Sequence, residues 1–357
     1  MRALRGVHRT IAAWAAIAIS LSSLRADPLP VTEVFRSAAP AVVRVQAAIQ
    51  SDTPSGRAPT RLICTGVFIS KTGRVLTFAG EHNEVARASR IWIEKDGIPY
   101  LAQLVGSDPR SKVALLQVVK LPAAFGAVAI EPATERPAVG TPVIAVTSPL
   151  SIEEPSPALG ILAGYESNFG ENVFPCSYVR VTIPSGDAES GSPVLDATGT
   201  LVGISVASLP QYGSSYLVPS RALAKLIGEF EARGRMTYPT LPIECDEHVD
   251  TRSLARHVMV SKVLPESAAS RAGLRVGDTL RRIDGVNIRR LHDYRDMLFF
   301  AEPGQFLQLE IEREGRLVTF QLMAEPEVLE SAPITAPPPL TTSPHPATPP
   351  PNGGTAP

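Results

Sequence analysis

Between residues 41 and 218, short apolar runs alternate with polar, glycine-bearing turns, the rhythm of β-strands. Residues 41–45 (AVVRV) read as a buried strand, after a short helix over residues 32–38 that stops before Pro40. Residues 51–60 (SDTPSGRAPT) read as a polar loop. Residues 65–77 (TGVFISKTGRVLT) read as strand, Lys-Thr-Gly turn and strand, and residues 91–105 as a hairpin around Asp96-Gly97. Residues 114–119 make a further strand. A Pro- and Ala-rich stretch, 120–140, then carries the chain to strands at 143–146, 159–165, 178–182, 201–206 and 216–218.

The period changes at residues 220–233. Leu223, Leu226, Ile227 and Phe230 fall on one face of a helix that Ser220 caps and Gly234 ends. Residues 265–288 (PESAASRAGLRVGDTLRRIDGVNI) punctuate a second region. A small-residue helical turn ends at Gly273, Gly277-Asp278 turns into a strand, and Asp284-Gly285 makes a hairpin. Leu291, Tyr294 and Leu298 line a helix that stops before Pro303-Gly304, and strands at 306–312 and 317–323 follow. From about residue 327 the chain turns to Pro, Thr, Ala and Gly, which bury too little apolar surface to order a segment.

At 357 residues the chain is long enough for two folded domains, and a net charge of −1 gives no reason to expect nucleic acid. Arg2, Arg5 and Arg9, an apolar run at 11–21 and a small-residue site after Ala26 read as a secretory signal over residues 1–26, cleaved or retained as an anchor. No other stretch is apolar enough to span a membrane. Cys64, Cys176 and Cys245 are far apart and have no metal-ligand spacing, so no metal or cofactor is expected; one disulfide or three buried thiols both fit.

The chemistry gathers at residues 178–207 (YVRVTIPSGDAESGSPVLDATGTLVGISVA), where a tight loop of small residues between strands presents Ser190. Such a loop can hold a nucleophile with backbone N–H groups aimed at one point. The order Ala188-Glu189-Ser190-Gly191-Ser192-Pro193-Val194, then Gly203-Ile204, resembles the G-N-S-G-G-P-L … G-x-I-G-I pattern of the HtrA/Do (DegP-like) serine proteases. The phrase F-x-x-x-x-P-A-V-V-R-V from Phe35 resembles the opening of that domain, and residues 237–326 resemble a PDZ domain. The resemblance implies a mainly β fold: a trypsin-like double β-barrel with a closing helix over residues 27–236, then a PDZ domain, a small β-barrel or sandwich with two helices. It also implies a periplasmic or envelope location and, commonly, a homotrimer.

Carried over residue by residue, the resemblance makes Ser190 the nucleophile and the N–H groups of Ala188 and Ser190 the oxyanion hole. Its ungapped histidine position is Gly80; His82 lies two residues later and serves if the turn carries an insertion, or is a solvated loop histidine if not. Its catalytic aspartate position holds Lys112, within Asp108-Pro109-Arg110-Ser111-Lys112. A cation there opposes an imidazolium. Losing the base costs about 10⁶ in rate and losing the carboxylate about 10⁴.

In the PDZ region the loop that takes a peptide's terminal carboxylate matches Thr240-Leu241-Pro242-Ile243, where Pro242 lacks an N–H. His292 opens the helix that would line the groove. The expected function is therefore an exported pseudoprotease that binds extended polypeptide or protein C-termini in envelope quality control. The alternatives are an active serine endopeptidase using Ser190 and His82, and a structural scaffold.

Overall fold

The computed structural model describes residues 29–327, apart from 54–55, 132–135, 151–153, 170–171, 187 and 252–253. The expected signal segment and the proline-rich tail lie outside the described residues. A short helix α1 (Val31–Ala38) leads into six strands: β1 (Val42–Thr53), β2 (Gly56–Phe68), β3 (Arg74–Phe78), β4 (Arg90–Lys95), β5 (Ile98–Asp108) and β6 (Val113–Val118). Six more follow: β7 (Pro142–Thr147), β8 (Ser156–Phe169), β9 (Asn172–Val181), β10 (Pro193–Asp196), β11 (Leu201–Leu209) and β12 (Ser214–Pro219).

Each set of six closes on itself, in the order β1-β2-β3-β6-β5-β4 and β7-β8-β9-β12-β11-β10. The two barrels thus repeat one topology, and closure leaves neither with a free edge. Their interiors are filled by the inward half of each alternating strand, such as Val45, Phe68, Leu76 and Leu115 in the first and Leu162, Val181 and Leu217 in the second. Residues 51–60, expected as a loop, are instead the end of the β1–β2 hairpin, paired down to Thr53 opposite Gly56. Ladder hydrogen bonds belong to the backbone, so a polar sequence does not prevent them.

Helix α2 (Ser220–Arg233) buries Leu223, Leu226 and Phe230 against the barrels and ends at Gly234 in the left-handed conformation, φ 73°. Ser220 is not its cap: Pro219 holds the N-cap position and Ser220 is the first helical residue. Beyond it, β13 (Pro239–Thr240), β14 (Ile243–Val249), β15 (Arg256–Val263), β16 (Thr279–Ile283), β17 (Val286–Asn287), β18 (Phe306–Arg313), β19 (Arg316–Met323) and β20 (Glu325–Pro326) alternate with helices α3 (Ala268–Ala272) and α4 (Leu291–Phe300). The main sheet runs β14-β15-β16-β18-β19, so β14 is an edge strand, while β13 pairs with β20. Leu280, Ile283, Leu309 and Ile311 form its core.

This second unit is fastened to the barrels. Phe299 of α4 packs into the barrel core beside Tyr238. Asp296 of α4, only 8% exposed, accepts hydrogen bonds from the Ser177 N–H (2.6 Å) and hydroxyl (2.7 Å) and pairs with Arg136. Arg110 grips Glu327 in a two-point fork at 2.6 and 2.7 Å.

Candidate active site

The serine loop is held from both barrels. The Thr65 N–H on β2 donates to the Ser190 carbonyl at 2.9 Å, the Gly191 N–H donates to the Ser205 carbonyl on β11 at 2.5 Å, and the Ser205 N–H donates to the Ser192 carbonyl at 3.0 Å. Gly191 sits at φ +92°, and a Cβ there would lie 2.0 Å from the Thr65 carbonyl oxygen, so only glycine fits. Thr65 is fully buried; its hydroxyl donates to the Ala188 carbonyl at 3.1 Å and accepts from the Ser148 N–H at 3.2 Å. Ser208 and Ser205 on β11 lace the start of the loop: the Ser185 N–H donates to the Ser208 hydroxyl at 3.3 Å, and the Ser185 and Ser205 hydroxyls are 3.3 Å apart.

Glu189, beside the nucleophile position, turns away from it. Its carboxylate accepts from the Gly186 N–H at 2.6 Å, and its carbonyl accepts from the Ser192 N–H at 3.1 Å. The loop thereby absorbs its own negative charge. Ser190 is 8% exposed, at the cleft between the barrels. Neither its hydroxyl nor its N–H makes a hydrogen bond among the described residues. The nearby Cys64 is no rival nucleophile: burial, only partly countered by hydrogen bonds to Thr77 and Phe78, pushes its thiol up to about 12.

The histidine side of the cleft is built differently. Gly80 adopts φ +93°, and a Cβ placed on it would lie 1.9 Å from the Glu84 carboxylate. That carboxylate folds back over the turn and accepts the His82 N–H at 2.9 Å. Asn83 completes the turn at φ 56°. His82 is exposed and makes no side-chain hydrogen bond to Ser190 or to any other described residue. It lines a hollow of about 340 Å³ with Glu81, Arg110, Lys112 and Tyr178; Ser190 is not among the residues that line it.

Lys112, also left-handed at φ 59°, pairs its ammonium with Glu81, and its carbonyl accepts the Ala79 N–H at 2.8 Å. Asp108 does not reach the cleft; it is 2% exposed and accepts the Ser111 N–H at 2.6 Å and the Tyr238 hydroxyl at 2.7 Å. The Tyr178 phenol, raised well above its ordinary range by burial and then by Cys176 and Asp108, stays protonated and donates to the Ser111 carbonyl at 3.3 Å. Sequence reasoning singled out Ser190, Gly80 and Lys112 but missed Glu84, Glu81 and Thr65, whose roles depend on contacts across the turn or between strands.

At the PDZ groove, Leu241 and Ile243 point into the core and the Pro242 carbonyl accepts the Leu264 N–H at 3.0 Å. The groove strand and helix are bridged. Glu247 on β14 accepts the Leu291 N–H at 3.1 Å and pairs with Arg290 at 3.0 Å and Arg256 at 2.7 Å. Burial opposes its ionisation, but Arg256, the Leu291 N–H and Arg290 outweigh it and hold the carboxyl at about 2. The Cys245 thiol and the Tyr294 hydroxyl form a second bridge. His292 is half-buried beside Asp293 at 3.4 Å. Among the described residues no group of three or more His, Cys, Asp or Glu could hold a metal ion, and no helix is long and apolar enough to cross a membrane.

The profile of the trypsin-like peptidase domain matches residues 64–204, and that of a PDZ domain matches residues 259–313. A probable periplasmic serine endoprotease DegP-like from Pseudomonas fulva is 28% identical over 72% of this chain and 54% of its own length. The periplasmic pH-dependent serine endoprotease DegQ of Escherichia coli is 27% identical over 75% of this chain and 60% of its own. The chain therefore spans between half and two thirds of the length of these relatives. Among solved structures, the HtrA-type protease AlgW with tripeptide superposes with a TM-score of 0.68 at 20% identity, covering 84% of this chain and 97% of that one. Two barrels of one topology, a serine loop pinned between them and a PDZ sheet after them, matched in that order by both profiles, give the chain a trypsin-like peptidase domain followed by a PDZ domain, the arrangement of the HtrA/DegP-like serine proteases it is similar to.

Proposed function

We propose that this chain is an exported HtrA-like pseudoprotease that binds extended polypeptide in the cell envelope and does not cleave it. One observation carries the reading: the Glu84 carboxylate occupies the space over Gly80, the position on which the family's histidine falls when its pattern is laid on without a gap. A serine hydroxyl without a base is an ordinary alcohol, and the cation at Lys112 supplies neither a base nor an orienting carboxylate.

Binding is supported at two places. The Ser190 N–H has no internal acceptor among the described residues. The outer edge of β14 pairs with no strand among the described residues, so an extended segment can add there, although the Glu247 and Cys245–Tyr294 bridges narrow the way in. The periplasmic names of the relatives support export.

The test is reaction of the purified chain with a fluorophosphonate probe, read by intact mass and peptide mapping, with Ser190→Ala as control. No adduct on Ser190, with and without added peptides, is expected. A stoichiometric adduct that the control lacks would show that a base still activates the serine. That result would overturn the pseudoprotease reading in favour of endopeptidase activity through Ser190 and His82.

A further inference from the structure

We infer that a cavity between the second barrel and the PDZ unit is a binding site for a small apolar carboxylate of the fatty-acid class, its head held by Arg221. The cavity measures about 430 Å³, within the range of small-molecule sites. Both units build it. Val179 on β9 and Val202 on β11 come from the barrel, and Met297 and Phe300 on α4 and Leu307 on β18 from the PDZ unit. Arg221, in the first turn of α2, is exposed, and its guanidinium carbon lies 4.0 Å from the centroid of the Phe300 ring. The same face of α2 is fixed against the end of α4: Lys225, one turn on, donates to the Ala301 carbonyl at 2.5 Å.

The charges on the walls select the ligand. Asp296 is taken up by the Ser177 N–H and hydroxyl and by Arg136. Asp293 accepts the Arg289 and Arg290 N–H groups, each at 2.9 Å. Of the charged side chains that line the cavity, only Arg221 has no hydrogen-bond or ion-pair partner among the described residues. A guanidinium fork matches a carboxylate. A phosphate would bring a second negative charge towards Asp293 and Asp296, so a singly charged head fits better. The cation stands at the exposed rim, where a head group stays wet, while Val179, Val202 and Leu307, at most 5% exposed, offer apolar walls to a chain. A molecule bound there touches both units and stabilises the chain by mass action. None of these residues belongs to the serine loop or to the turn at Gly80, so the site stands whether or not Ser190 reacts.

The experiment titrates the full chain with hexanoate, octanoate and decanoate by calorimetry, below micelle-forming concentrations, with octanol as the uncharged counterpart. A single site is expected, with affinity rising about fourfold per added methylene and a raised melting temperature. Arg221→Gln should weaken octanoate binding about ten- to a hundredfold, the loss of a charge-assisted hydrogen bond, and leave octanol binding unchanged. Arg221→Lys keeps the charge without the fork and should fall between. Met297→Glu puts a charge among the apolar walls and should abolish binding of both ligands. Melting without ligand verifies that each variant folds, and Arg221, being exposed, tests the head group even where the Met297 variant does not fold. No binding of octanoate or decanoate, octanol bound as tightly as octanoate, or unchanged octanoate affinity in Arg221→Gln would overturn the proposal.

Discussion

The two sides of the cleft had different freedom to change. The serine side is pinned by backbone: the Thr65 N–H of the first barrel donates to the Ser190 carbonyl, while Gly191 and Ser192 exchange main-chain hydrogen bonds with Ser205 of the second, so the loop belongs to the fold whatever the Ser190 hydroxyl does. The histidine side is a turn whose conformation is set locally by Gly80, Asn83 and the folded-back Glu84 side chain. One side is set by the packing of two barrels, the other by a few neighbours in sequence.

The sharpest test pits the two glycines against each other, because their φ angles are nearly equal, +92° at Gly191 and +93° at Gly80. Gly191→Ala drives a Cβ into the backbone of Thr65, which has nowhere to move. Loss of about 2–5 kcal/mol by denaturant unfolding is expected, overpacking adding to left-handed strain. Thr65→Val leaves the Ala188 carbonyl and the Ser148 N–H without their partner, at a cost of about 1–3 kcal/mol. Gly80→Ala meets only the Glu84 side chain, most closely at its movable carboxylate end, and should cost about 1–2 kcal/mol, mostly left-handed strain. If Gly80→Ala proves as costly as Gly191→Ala, the contrast between the two sides fails.

Acid asks a related question of the PDZ groove. Glu247 titrates at about 2 when folded against 4.5 ordinarily. A depressed carboxyl contributes stability that is complete above pH 4.5 and is lost as pH falls towards 2. Much of the side chain is solvent-screened, so the contribution is about 1 kcal/mol. Glu247→Gln should flatten the pH dependence of the melting temperature in that window. The smallest effect belongs to Glu81→Gln, which frees an exposed partner of Lys112 and should change stability by less than about 1 kcal/mol. Lys112→Asp should not restore probe labelling of Ser190, because the space over Gly80 remains filled.

Much of the fold was legible because its signals are local. Gly234, Gly273, Gly277 and Asp284-Gly285 mark turns at the positions where the structure places them, and alternation marked most strands. The misread hairpin at 51–60 shows the limit: polar side chains mark a loop only when nothing else pairs the backbone. Ser190 could be found from its neighbours in sequence. Thr65 could not, since it acts on Ala188, 123 positions away. Glu84 is four residues from Gly80, but its role appears only once the turn between them is known to be left-handed. The grip of Asp296 on Ser177, 119 positions away, was equally silent, because an acid on a helix face gives no hint of what it will meet.

The carboxylate over Gly80 also bears on redesign. A single change that puts a histidine at position 80 would meet both a left-handed backbone and a side chain already in its space, and would still face a lysine at 112. A histidine at 80 facing a carboxylate at 112 therefore requires the turn, Glu84 and Lys112 to change together. Local packing of this kind couples neighbouring positions, so a side chain added at Gly80 is felt at Glu84 and, through it, at the His82 N–H.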